Sequence, residues 1–399
     1  MTVVGAGRDH GAVAARRPSP DVVRRRRLAV LGAALAAFVA GVALGAAAGG
    51  GEPARRGRTG AHGTAGGGRA PAAQREAVDR LTLEQQVGQL VILRFAGTAP
   101  PGYVKRALRR RRVAGVILFR DNALDPRQLR ALTAALRRAA GAPPPLVCVD
   151  QEGAAIRVLP WAPPAPGQPD QAAAGTVGAD ARAAGRALRA DGVDVALAPV
   201  ADVPSVAGSA LAGREFSRDP AAAATATAAA VRGWRAGGVL PTLKHFPGLG
   251  GATVNTDDAP ATVDRTSRQL EQDLRPFRAG IAAGAPLVMV SSAVYPALDP
   301  DHIASQSPAI VERLLRRRLG FRGVAVTDSM EAAAVRATGD VATAAVAAVR
   351  AGIDLVLTTG RGSYIHVYRA LLARARADAA FRARVRTSAA RVLALRGQS

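Results

Sequence analysis

Residues 146–153, Leu-Val-Cys-Val-Asp-Gln-Glu-Gly, pass from four apolar side chains straight into two carboxylates. A run this short and this apolar reads as a strand buried on both faces, with its polar residues placed where strand gives way to loop. The same pattern recurs on either side. Apolar runs at 88–95, 113–119, 146–149, 193–198, 239–243, 287–290, 324–326 and 354–357 read as eight strands. Between most of them lie Ala- and Leu-rich stretches with helical spacing, among them 126–139, 180–190 and 220–236. Apolar strands alternating with helices predict a parallel sheet covered on both faces, and eight such units predict a (β/α)8 barrel of the TIM type over residues 74–399. The competing architecture is a doubly wound open sheet. No Gly-x-Gly-x-x-Gly turn follows the first strand, which counts against it.

Ahead of the barrel the composition changes. Residues 1–27 are polar and Arg-rich and end in Arg24-Arg25-Arg26-Arg27. Residues 28–48 carry no charge at all. At about 1.5 Å per helical residue they match the roughly 30 Å hydrocarbon core of a bilayer. The expectation is one transmembrane signal-anchor helix, with 1–27 as a cytoplasmic basic tail and the barrel extracytoplasmic. Secretion after signal cleavage is the alternative. Residues 49–73, rich in Gly, Arg and Pro, read as a disordered linker.

The net charge of +24 favours anionic neighbours such as membrane head groups or wall polymers, and no nucleic-acid motif accompanies it. The Arg clusters at 109–112 and 316–318 read as solvated helix faces. The single cysteine, Cys148, sits in an apolar run and reads as core, which excludes a disulfide framework.

In a barrel of this kind the active site forms at the C-terminal ends of the strands. Those ends carry Asp150 and Glu152 after the third run, Asp202 and then Arg214-Glu215 after the fourth, Lys244-His245 after the fifth, Ser291-Ser292 after the sixth and Asp328 after the seventh. A lone strand-end Asp often only caps the next helix. Polar motifs on five successive strand ends converge on one mouth. Asp150, Arg214, Lys244 and His245 supply acceptors and charged donors suited to sugar hydroxyls. Cleaving a glycosidic bond needs one carboxylate at the anomeric carbon and a second group to protonate the leaving oxygen. No His-x-His or His-Glu-x-x-His spacing is present, so neither a metal nor another cofactor is expected.

The segments 146–153 (LVCVDQEG), 213–220 (GREFSRDP), 244–250 (KHFPGLG) and 319–331 (LGFRGVAVTDSME) resemble the family 3 glycoside hydrolases, in particular the single-domain bacterial β-N-acetylhexosaminidases of the NagZ type. The likeness runs from about Leu81 to Leu395. It implies a retaining mechanism with Asp328 as nucleophile. It also implies that Asp150, Arg214, Lys244 and His245 grip the sugar, with Glu152 in support.

One departure matters. The single-domain family carries Lys-His-Phe-Pro-Gly-His-Gly, four residues, then Asp-Ser-His, whose last His is the acid/base. Here Leu249 replaces the first His, Asn255 the Asp and Asp257 the catalytic His. Longer members take the acid/base from a second domain, for which no room is expected before Ser399. Asp257 or Asp258 is therefore the expected acid/base, on a loop that Leu249 and Gly250-Gly251 are expected to leave flexible. The expected activity is removal of terminal β-N-acetylglucosamine from oligosaccharides or muropeptides of the wall by a monomer. A glycan-binding domain that has lost hydrolysis and a β-glucosidase-type specificity are the alternatives.

Overall fold

A computed structural model describes residues 72–398. The basic tail, the 28–48 run and nearly all of the expected linker lie outside them. Among the described residues no helix is long and apolar enough to cross a membrane.

The eight expected strands are present: β1 (Val91–Arg94), β2 (Gly115–Ile117), β3 (Leu146–Val149), β4 (Val195–Ala196), β5 (Leu240–Phe246), β6 (Leu287–Val290), β7 (Val324–Ser329) and β8 (Leu355–Leu357). Each pairs in parallel with its sequence neighbours, and β8 closes on β1 through Val91↔Val356 and Ile92↔Leu357. The open-sheet alternative is thereby excluded. The first strand is shorter than expected because residues Leu83–Gly88 form a helix. Gly88 ends that helix, and the position needs glycine because a Cβ there would lie 2.0 Å from the Arg111 carbonyl oxygen.

Strand side chains alternate in direction, so each strand serves two packing layers. Ile92, Ile117, Cys148, Val195, Met289 and Leu355 fill the barrel interior, whereas Leu93, Val116, Val147, Ala196 and Val288 pack outward against the helices. Cys148 is buried among the inward set, as its apolar context predicts. The helices start on local signals. Pro126–Ala140 and Pro220–Ala236 each begin with Pro behind an Asp cap, and the Asp125 and Asp219 carboxylates accept the first free backbone N–H groups. The Asp of the 213–220 motif is thus a helix cap.

Two register irregularities interrupt the ladders. One lies between Leu243 and Phe246 on β5 and the other between Val326 and Ser329 on β7. Such irregularities turn side chains off the regular pleat. They fall on the segments that carry Lys244-His245 and Asp328.

Candidate active site

A cavity of about 380 Å³ opens at the C-terminal ends of the strands. Its apolar lining includes Ile117, Leu197, Met289 and Leu357, from β2, the residue after β4, β6 and β8. Contribution by alternate strands is how such barrels fill their interior layers, and here that layer supplies the apolar part of the pocket. Above it stand Asp150, Lys244, Asp257, Asp328, Ser329 and Thr359, with Arg94 and Phe119.

Lys244 organises one side. Its ammonium is buried and lies 2.7 Å from Asp150 Oδ1 and 2.6 Å from Glu152 Oε1. Burial disfavours its charge, but the two carboxylates outweigh burial and raise its pKa above the ordinary lysine value. Glu152 is buried and is not among the residues that line the cavity. It receives Arg214 through two bonds, Nε at 3.0 Å and Nη2 at 2.8 Å. Burial by itself would raise the Glu152 carboxyl, yet Lys244 and Arg214 prevail and hold it at about 2. Glu152 is thus the anion shared by two cations, Lys244 and Arg214. Lys244 keeps one N–H, and Asp150 its second oxygen, for a ligand.

His245 is buried beside this group. Its Nδ1 lies 2.7 Å from Asp202 Oδ2, and its Nε2 lies 3.8 Å from Asp328 Oδ2. Asp202, buried after β4, also accepts the His245 backbone N–H at 2.9 Å and the Leu249 N–H at 2.6 Å. One carboxylate therefore fixes both the imidazole and the loop that follows it. Asp328 Oδ1 accepts the Ser329 N–H at 2.8 Å. Beyond it the Ser329 and Thr359 hydroxyls meet at 2.6 Å, and Thr359 donates its N–H and hydroxyl to Glu331 at 2.7 and 2.9 Å.

The loop after β5 is not the flexible segment that its glycines suggest. Leu249 is buried in the core, and a Cβ on Gly250 would come within 1.9 Å of the Val203 carbonyl oxygen. Gly250 thus permits close packing of two backbones. Further along, the carbonyls of Thr256 and Asp257 accept the N–H groups of Ala334 and Ala333, both at 3.1 Å. The loop is pinned to the segment that follows Asp328. This pinning carries the Asp257 carboxyl to the cavity, where loss of water and the negative charge of Asp328 raise its pKa. Asp257 and Asp258 are both exposed, but only Asp257 lines the cavity.

With this geometry in hand, the comparisons are specific. Residues 82–395 match the glycosyl hydrolase family 3 N-terminal domain. The chain belongs to glycoside hydrolase family 3. That membership makes it a glycoside hydrolase, and the matched span coincides with the barrel. A β-hexosaminidase from Stenotrophomonas maltophilia is 39% identical over 280 residues, which cover 67% of this chain and 82% of that one. A family 3 β-N-acetylglucosaminidase from Paenibacillus sp. superposes with a TM-score of 0.77 at 34% identity, over 80% of this chain and 62% of that one. A β-N-acetylhexosaminidase from Beutenbergia cavernae gives 0.72 at 38% identity, over 79% and 99%.

The mouth of the barrel places Asp150, Lys244, Asp257 and Asp328 around one cavity, with Glu152, Arg214 and His245 paired beside it; Asp258 is not among the lining residues. Asp202 stands among the strand-end residues in the sequence, but its role lies in contacts 43 and 47 residues away that no local pattern shows. Arg94 is absorbed into an apolar run in the sequence, although a charged last residue on a buried strand was a visible signal. Among the described residues, no group of three His, Cys, Asp or Glu side chains is placed to hold a metal ion.

Proposed function

We propose that this family 3 domain is a retaining, exo-acting β-N-acetylglucosaminidase. Asp328 attacks the anomeric carbon and forms a glycosyl ester, while Asp257 protonates the leaving oxygen and then deprotonates the incoming water. The observation that carries this reading is that Asp257 and Asp328 face one cavity, in which Asp150 and Lys244 present a hydrogen-bonding edge for sugar hydroxyls. The raised pKa of Asp257 suits a group that enters the reaction as an acid. A Coulombic penalty from Asp328 disappears once that carboxylate becomes an ester, which suits the change from acid to base in the second step. The N-acetylglucosaminide specificity and the exo action rest on the resemblance to the relatives.

The site is further proposed to act outside the cytoplasm on wall-derived fragments, with residues 28–48 as the anchor. The uncharged run behind four arginines supports this. Protease digestion of intact spheroplasts tests it: the barrel should be degraded and the membrane fraction should hold the chain. Protection of the barrel, or a fully soluble product starting near residue 50, contradicts it. The activity itself is tested by nitrophenol release from aryl β-glycosides. N-acetylglucosaminide should be the best substrate. Preference for the glucoside would reassign the sugar, and no release from any glycoside would favour a domain that only binds glycan.

A further inference from the structure

Arg94 ends β1, diametrically across the barrel from β5, which carries Lys244. Asp150 and Lys244 occupy the β3–β5 side of the mouth, so the β1 side remains for the leaving group. Three carboxylates, Asp150, Asp257 and Asp328, line this cavity with two cations. Lys244 is locked between Asp150 and Glu152 at 2.7 and 2.6 Å. Arg94 is held otherwise. Its guanidinium carbon sits over the Phe119 ring, 4.7 Å from the centroid, and Phe119 is also a lining residue. Its Nη2 reaches both oxygens of Asp121, but only at 3.5 Å, with more than a third of each side chain in solvent. Its Nε is buried without a hydrogen-bond partner. A buried N–H left unpaired is a cost, so Asp121 leaves the guanidinium only partly satisfied.

We propose that Arg94, stacked on Phe119, receives a carboxylate carried by the leaving group, and that Asp121 competes with that carboxylate for the guanidinium. The assignment rests on the glycosidase reading above. An arginine held over an aromatic ring keeps its planar fork of N–H groups for a carboxylate, and gives up its weak pair with Asp121 at little cost. Without such a cation, the Asp328 carboxylate would repel an anionic leaving group from the mouth.

Two aryl β-N-acetylglucosaminides with phenols of matched acidity, one neutral and one bearing a ring carboxylate, provide the test on the full chain. The wild type should favour the carboxylated glycoside by about tenfold in kcat/KM at low ionic strength, and less as salt is added. Arg94→Met should bring that ratio to about one or below, and Asp121→Asn should raise it. A ratio of one in the wild type, or a ratio that survives Arg94→Met, overturns the assignment. An unchanged ratio in Asp121→Asn overturns the competition. If neither glycoside is cleaved, the glycosidase reading falls. Calorimetric binding of the same two glycosides to wild type and Arg94→Met then decides the carboxylate site by the same ratio.

Discussion

Carboxylates sit at both ends of this barrel, and the two ends treat them differently. At the bottom, Asp354 just ahead of β8 is fully buried and accepts from Arg316, from Arg384 at 2.6 Å, Arg391 at 3.0 Å, Ser388 at 2.9 Å and the Ala325 N–H at 3.1 Å. Asp194, just ahead of β4, is bound in the same way by Arg137, Arg189 and the Val147 N–H. At the mouth, Asp328 and Asp150 keep 21% and 24% of their side chains exposed, against 0% and 2% for Asp354 and Asp194. The bottom carboxylates have their bonding capacity filled by the protein. Those at the mouth have theirs half filled, with the remainder turned to a cavity. Buried charge that is fully paired serves the fold, and charge left partly unpaired at a strand end serves chemistry.

The contrast predicts a separation of effects. Asp328→Asn should lower kcat/KM at least a thousandfold, about 4 kcal/mol of transition-state stabilisation, with the urea midpoint nearly unchanged. A large loss of stability without that rate loss would move Asp328 to the structural class. Asp354→Ala should do the reverse. Leaving three arginines without their anion should cost about 3–4 kcal/mol in urea unfolding, while the protein that stays folded keeps its KM. Near-wild-type stability would mean that the arginines are solvated and the bottom cluster is not a keystone.

Asp257→Ala should slow poorly activated glycosides by roughly a hundredfold while sparing the first step on dinitrophenyl glycosides, whose departure needs no proton. Added azide should restore turnover and yield a β-glycosyl azide. Equal losses on both classes of leaving group would remove Asp257 from the acid/base role. Glu152 sharpens the comparison from the mouth side, because it is paired as the bottom carboxylates are. Its folded pKa is depressed to about 2 from an ordinary 4.5. The stability it contributes is thus complete above about pH 4.5 and is lost as pH falls toward 2. Glu152→Gln should lower stability at neutral pH by on the order of 2–3 kcal/mol and flatten the acid limb of the stability profile over that window. An unchanged acid limb would assign that limb to other carboxylates.

The strands were legible because both faces are buried, which makes them short, unbroken apolar runs. The helix Pro220–Ala236 was legible to the residue because an Asp cap, Pro and Ala-rich spacing agree. Strand ends were legible as a set of polar residues, and that set contains the mouth. What escaped the sequence depends on tertiary neighbours. Asp202 looks like any polar residue after a strand until His245 and Leu249 are seen to share its carboxylate. The Arg316–Arg318 run resembles a solvated helix face, and Arg317 and Arg318 are exposed. Arg316 is instead buried on Asp354, and the carbonyls of Phe321 and Gly323 accept from its Nη1. The glycines at 250–251 suggest mobility in sequence, yet Gly250 packs against the Val203 backbone.

The central claim is that the partly unpaired carboxylate at the end of β7 is the nucleophile. The most direct test is mechanism-based labelling with a 5-fluoro glycosyl fluoride of the N-acetylglucosamine series, followed by peptide mass spectrometry. The account predicts one added glycosyl mass per chain, on the peptide that contains Asp328, with none on the peptides of Asp354 or Asp194 and none in Asp328→Asn. Label on another carboxylate, or full turnover of the reagent with Asp328 never modified, would contradict it.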